Sequence, residues 1–118
     1  YKIHNYRTKM SQARAFFEPI KTLAFGGISA VYASVGSPTT HPIRAFKISN
    51  NTQGSMLFTT NTAQDEMFLP AGSFTLYDLQ SNINPQKDDS FVISAATQFS
   101  VKQITAPVSG SVYVECIY

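Results

Sequence analysis

The chain is poor in cysteine: Cys116 is the only one in 118 residues. That excludes a disulfide within the chain and a cysteine-built metal cluster. Tryptophan is absent. Charge is scarce as well, with 14% Asp, Glu, Lys and Arg against about a quarter in an ordinary soluble domain. A formal net charge of +2 is too small for the electrostatic footprint of a nucleic-acid binder, so no nucleic-acid partner is expected. No apolar run approaches the roughly 20 residues that cross a bilayer as a helix, and no secretory leader is recognisable. A membrane partner is therefore not expected.

Catalytic patterns are missing too. There are two histidines: His4 lies near the start, and His41 sits between Thr40 and Pro42, where a surface imidazole is expected. A nucleophile needs a base and an orienting acid at hand, and no such spacing occurs. Gly26-Gly27-Ile28-Ser29 reads as a bend entering a strand. The adjacent acids Asp65-Glu66 and Asp88-Asp89 are not preset for shared metal ligation, because neighbouring strand residues point to opposite faces. Phosphate-cradling glycine loops are absent. The expectation is a protein without enzymatic activity, cofactor or metal.

What the chain does have is strand signal. From Ile20 onward, short runs rich in branched and aromatic residues recur about every ten residues, separated by turn-formers: residues 28–35, 43–49, 55–60, 66–69, 73–79, 91–94, 97–104 and 111–118. Asn50 to Gly54 reads as a turn. About eight strands at that spacing, with no helical pattern between them, predict an all-β fold, an antiparallel β-sandwich of jelly-roll-like type. Hydrophobic residues make up 43% of the chain, enough for one core at this length. Cys116 falls on the apolar face of the last run, with Val112, Val114 and Tyr118, and reads as a small core hydrophobe. Of nine Phe and six Tyr, most Phe are expected inside. If Tyr32, Tyr77, Tyr113 and Tyr118 face outward, they offer a stacking platform for sugars.

Residues 1–20 differ from the rest and read as an N-terminal arm, extended or with a short helix over residues 6–17, ahead of a sandwich domain at 21–118. Lys2, Arg7, Lys9, Arg14 and Lys21 cluster in the first 21 residues against Glu18 alone, leaving four basic and six acidic residues for the remainder. A basic extension with rings suits a segment that lies across a neighbour. Its candidate assembly contacts are Tyr6, Arg7, Arg14, Phe16 and Phe17. Burying each ring contributes about 2 kcal/mol.

The run from Lys21 to Tyr118 resembles a group of small tailed-bacteriophage virion proteins. The resemblance is carried by Leu23 to Gly26, His41-Pro42 before a strand, the turn Asn50 to Thr52, the segment Pro70 to Leu79 and the strand Ser109 to Tyr113. It implies a virion structural protein, made in a bacterial cytoplasm, that decorates the capsid or sits at the head–tail region; a capsid decoration (cement) subunit is the first expectation. Its expected partners are other virion proteins, the major capsid protein first, together with further copies of itself. A head–tail connector, neck, tail or fibre-adaptor protein is the alternative within that group. A carbohydrate-binding sandwich is the alternative outside it.

Overall fold

A computed structural model of the chain describes residues 14–79 and 92–118. Among the described residues eight strands form: β1 (Lys21–Ala24), β2 (Ala33–Ser34), β3 (Ala45–Thr52), β4 (Met56–Thr59), β5 (Met67–Leu69), β6 (Phe74–Asp78), β7 (Ser100–Gln103) and β8 (Gly110–Ile117). They make two four-stranded sheets, in the orders β1-β8-β3-β6 and β2-β7-β4-β5, and every pairing is antiparallel. That interleaving of two Greek keys is the jelly-roll order, so the expected sandwich is the fold. Among the described residues no helix is long and apolar enough to cross a membrane.

Alternation builds the core. On β3, Phe46, Ile48, Asn50 and Thr52 point inward, and on β8 so do Val112, Val114 and Cys116. The facing sheet supplies Met56, Phe58, Met67, Leu69 and Val101. Phe99 is fully buried, its ring 5.2 Å from that of Phe46. Each such side chain, taken fully out of water, contributes about 1.5–3 kcal/mol.

Several expectations are corrected. β1 lies in Lys21–Ala24, which held no expected strand, and a 3-10 turn at Phe25–Gly27 follows it. Residues 28–35 are not one strand: the Ser29 hydroxyl accepts from the Val31 N–H, the chain bends, and although the Ser29 carbonyl accepts from Gln103 of β7, only Ala33–Ser34 form a strand on it. Around residue 93 the described chain makes an isolated bridge, Ile43 to Ile93. Of the arm, expected to be extended or a short helix over residues 6–17, the described part pairs in extended form with β8 and Tyr118 at residues 16–18; residues 6–13 lie outside the described residues.

Asn50 is not a turn residue. β3 runs on to Thr52, and the buried Asn50 amide donates to the carbonyls of Gly54, Leu69 and Pro70. Its Oδ1 accepts from the Thr52 N–H and hydroxyl. One side chain thus ties the β3–β4 turn to the β5–β6 turn, satisfying carbonyls that would otherwise be costly to bury.

Most phenylalanines are not core. Phe46, Phe58 and Phe99 are buried, whereas Phe16, Phe17, Phe25, Phe68 and Phe74 are exposed. Register is the reason. β6 pairs with β3 so that Thr75 faces Ile48 and Tyr77 faces Phe46. The Tyr77 ring stacks on Phe46 at 5.0 Å, and a period of two then turns Phe74 and Leu76 outward. Phe68 sits between inward Met67 and Leu69 and meets the same fate.

Candidate functional site

The described end of the arm is a strand added to the edge of the first sheet. Phe16 and Tyr118 exchange two backbone hydrogen bonds, 3.2 and 2.7 Å, and the Glu18 N–H donates to the Cys116 carbonyl at 3.0 Å. Glu18 therefore lies opposite Cys116, while Lys21 lies opposite Val114. Two residues, Pro19 and Ile20, face the single residue Glu115, which is the arithmetic of a β-bulge. Proline fits there because its missing N–H falls where the ladder is interrupted.

The bulge leaves Glu18 and Lys21 both inward. Glu18 is 2% and Lys21 5% exposed at the side chain, with Lys21 Nζ 3.6 Å from Glu18 Oε1. Gly36 makes room for them: its φ is +67°, and a Cβ there would lie 2.8 Å from Lys21 Cβ. Glu18 Oε2 accepts from the backbone N–H groups of Thr40 (3.0 Å) and His41 (2.9 Å) and from the Thr40 hydroxyl (3.1 Å). His41 Nδ1 is 3.0 Å from the same oxygen. Two successive N–H groups aimed at one anion form a nest. Burial by itself would raise the Glu18 carboxyl, but the hydrogen bonds from His41 and Thr40 outweigh it and hold the group below its ordinary value.

Above this anchor runs a column of rings. His41 lies flat on Tyr118, with 3.6 Å between centroids and 4° between planes. Phe16 stacks on Tyr118 at 5.7 Å, and the Arg14 guanidinium lies 5.1 Å over the Phe16 ring. Arg44 clamps the two chain segments, donating from Nη2 to the carbonyls of Arg14 (3.2 Å) and Tyr118 (2.9 Å). His41 is at the surface as expected, its side chain 44% exposed, but it is engaged there, stacked on Tyr118 and 3.0 Å from Glu18.

The five candidate contacts fall into three groups. Tyr6 and Arg7 lie outside the described residues. Arg14 and Phe16 belong to the column on the body of the domain. Phe17, opposite the outward Ile117, points away from the core and is 71% exposed. Glu18, Arg44, His41 and Tyr118 carry the seam and were not among the candidates. A charged residue just before a proline, at the start of a strand, was the one local signal available for Glu18.

A second cluster lies on the outer face of the other sheet. The Tyr32 hydroxyl donates to Asp65 at 2.7 Å, Lys102 Nζ is 3.1 Å from the same carboxylate oxygen, and that ammonium sits 4.7 Å over the Tyr32 ring. Burial and the Asp65 hydrogen bond push the Tyr32 phenol up, while the bonds from Tyr32 and Lys102 hold Asp65 down. The neighbouring Glu66 turns the other way, accepting from the Thr60 N–H and hydroxyl and from Gln64. An open depression of about 650 Å³ adjoins this cluster. The four strand tyrosines do not assemble into a platform: Tyr77 packs on Phe46, Tyr118 on His41, Tyr32 under Lys102, and Tyr113 stands on the outer face of the first sheet. Among the described residues no group of three His, Cys, Asp or Glu is placed to hold a metal ion.

No protein-family model matches this chain, and neither a curated protein nor a solved structure matches it.

Proposed function

We infer that this chain is a structural protein of a tailed-bacteriophage virion, a non-enzymatic capsid decoration subunit that docks on the major capsid shell. The observation that carries the reading is how much large apolar surface the fold leaves outside. Phe17 and Ile20 stand out along one margin of the first sheet, and Phe74 and Leu76 along the opposite margin. Grouped apolar side chains in the open mark surfaces that meet another molecule. Low charge removes one obstacle to close packing, and the resemblance of residues 21–118 to virion proteins supplies the class of partner.

In this reading the body is the rigid seat, and the segment around Phe17 and Ile20 is presented to the shell by the Glu18 anchor and the ring column behind it. Modest contacts repeated around a particle add up to firm attachment.

Electron microscopy of purified particles is the test. Density for the sandwich at repeated positions on the capsid lattice is the expected result. A ring on the portal axis would replace the decoration role with a connector role. Absence of the chain from purified particles, by mass spectrometry, would overturn the reading.

A further inference from the structure

β6 is an edge strand whose outer side pairs with no strand among the described residues. In the β3–β6 ladder, the Asn50 N–H donates to the Ser73 carbonyl at 2.8 Å and the Leu79 N–H to the Arg44 carbonyl at 2.9 Å. Antiparallel ladders alternate between bonded and unbonded residue pairs, so Thr75, Tyr77 and Leu79, with the Ser73 carbonyl, turn their backbone groups toward β3. The N–H and C=O groups of Phe74 and Leu76 then point away from it. No strand among the described residues pairs with that edge. Phe74 and Leu76 also carry their side chains outward, each 61% exposed.

Natural sheets guard their edges with proline, lysine, bulges or covering segments. The opposite margin of this sheet has such a device in Pro19 and the bulge around it. β6 reads Phe-Thr-Leu-Tyr-Asp with no proline, lysine or glycine.

We propose that β6 is a self-association seam, on which β6 of a second copy pairs antiparallel across a two-fold axis to join two four-stranded sheets into one. The occupant follows from self-complementarity. Two registers engage the outward backbone groups of both Phe74 and Leu76 against residues of β6 in the second copy, one centred on Thr75 and one on Leu76. The Thr75-centred register sets Phe74 against Leu76 of the second copy, twice by symmetry, and so makes two apolar cross-strand pairs. The Leu76-centred register would oppose Phe74 to a carboxylate, Asp78 of the second copy. Apolar matching selects the first. Lys47, whose Nζ already lies 4.6 Å over the Phe74 ring, flanks the seam in each copy and leaves the apolar pairs between.

One strand from each partner is a small interface beside the roughly 800 Å² per partner of a stable complex. The dimer therefore forms on concentration and falls apart on dilution. This inference specifies the self-contact within the assembly reading above, but it stands or fails separately from it.

Sedimentation velocity of the full chain over a concentration series is the first measurement, with reversible dimerisation expected. Leu76→Pro removes an edge N–H without touching the β3 ladder, and Phe74→Lys places a charge at each apolar pair. Both are expected to stay monomeric where the wild type dimerises, with unchanged circular dichroism. Thr75→Cys, treated with oxidised glutathione, is expected to give a disulfide-linked dimer. Opposed unbonded residues lie about 4.5 Å apart at Cα, within disulfide reach. The native Cys116 is buried, and Val108→Cys, exposed and away from β6, is the control expected to remain monomeric.

A wild type that stays monomeric and gives no Thr75→Cys dimer overturns the proposal. So does a dimer that survives both Leu76→Pro and Phe74→Lys, or one that is lost only when residues 1–13 are deleted. If Leu76→Pro does not fold, Phe74→Lys and the cysteine pair decide the matter. A monomeric chain that is still found on particles sinks the seam alone; a dimer absent from particles sinks the virion reading alone.

Discussion

The His41 imidazole and the Tyr118 ring are stacked face to face, 3.6 Å between centroids and 4° from parallel, although 77 positions separate them in the sequence. Such a pair contributes about 0.5–1.5 kcal/mol beyond the area it covers. A double-mutant cycle with His41→Ala and Tyr118→Ala, followed by urea unfolding, should show coupling of that size. Additive single effects would mean that the rings merely share an address.

Acid should weaken the fold through Glu18. Its carboxyl titrates near 4.5 when unfolded and lower when folded. The stability held by the ionised form is therefore complete above pH 4.5 and is lost as pH falls through the folded value. Glu66 and Asp65 are lowered as well and act with the same sign. Urea midpoints across a pH series should fall on acidification. The Glu18→Gln variant should start less stable and show a shallower decline.

Breaking the buried ion pair from one side should cost more. Glu18→Ala strands the Lys21 ammonium among buried groups, a change worth about 3–5 kcal/mol. Glu18→Ala with Lys21→Met should recover part of that loss. Equilibrium unfolding of the two variants gives the comparison.

Asn50→Ala should also be costly. Removing the amide takes one donor from each of the carbonyls of Gly54, Leu69 and Pro70. Gly54 keeps the Thr52 hydroxyl and Pro70 the Ser73 hydroxyl. Leu69 loses its side-chain donor and the Thr52 hydroxyl loses its Oδ1 acceptor, and a buried group left unsatisfied costs about 1–3 kcal/mol. Thermal unfolding should register a clear fall in midpoint, whereas Asn51→Ala, at an exposed position on the same strand, should change little.

Cys116 should be unreactive in the native protein. Burial pushes its thiol up to about 11, and the thiolate is the reacting form. A chromogenic disulfide reagent at mildly alkaline pH should label it only after denaturation. Fast native labelling would contradict the burial.

The jelly roll was legible in the spacing of strands and turns, and alternation along β8 matches the inward set Val112, Val114 and Cys116; on β7 Ser100 is buried beside Val101, and on β3 Asn50 and Thr52 carry the inward face past the expected turn. Cys116 was legible for the same reason. β6 was harder: Phe-Thr-Leu-Tyr-Asp alternates equally well with either face inside, and its pairing with β3 decides in favour of Thr75 and Tyr77. The Asn50 turn was misread because a buried asparagine that serves distant carbonyls has the composition of a turn. The Glu18 anchor was out of reach from sequence. Its partners Thr40 and His41 lie 22 and 23 residues away and meet it only because a bulge keeps Glu18 and Lys21 on one side.

β8 is the penultimate strand of its sheet in space but the last in sequence, seated between β1 and β3. A nascent chain halted before residue 110 thus holds β1 with no neighbour and β3 with only one flank covered. The sheet is zipped shut by the last of these strands to be made, through ladders that span most of the described chain. Such long-range closure is slow, and it makes a ribosome-bound fragment lacking β8 a species that a chaperone has reason to hold.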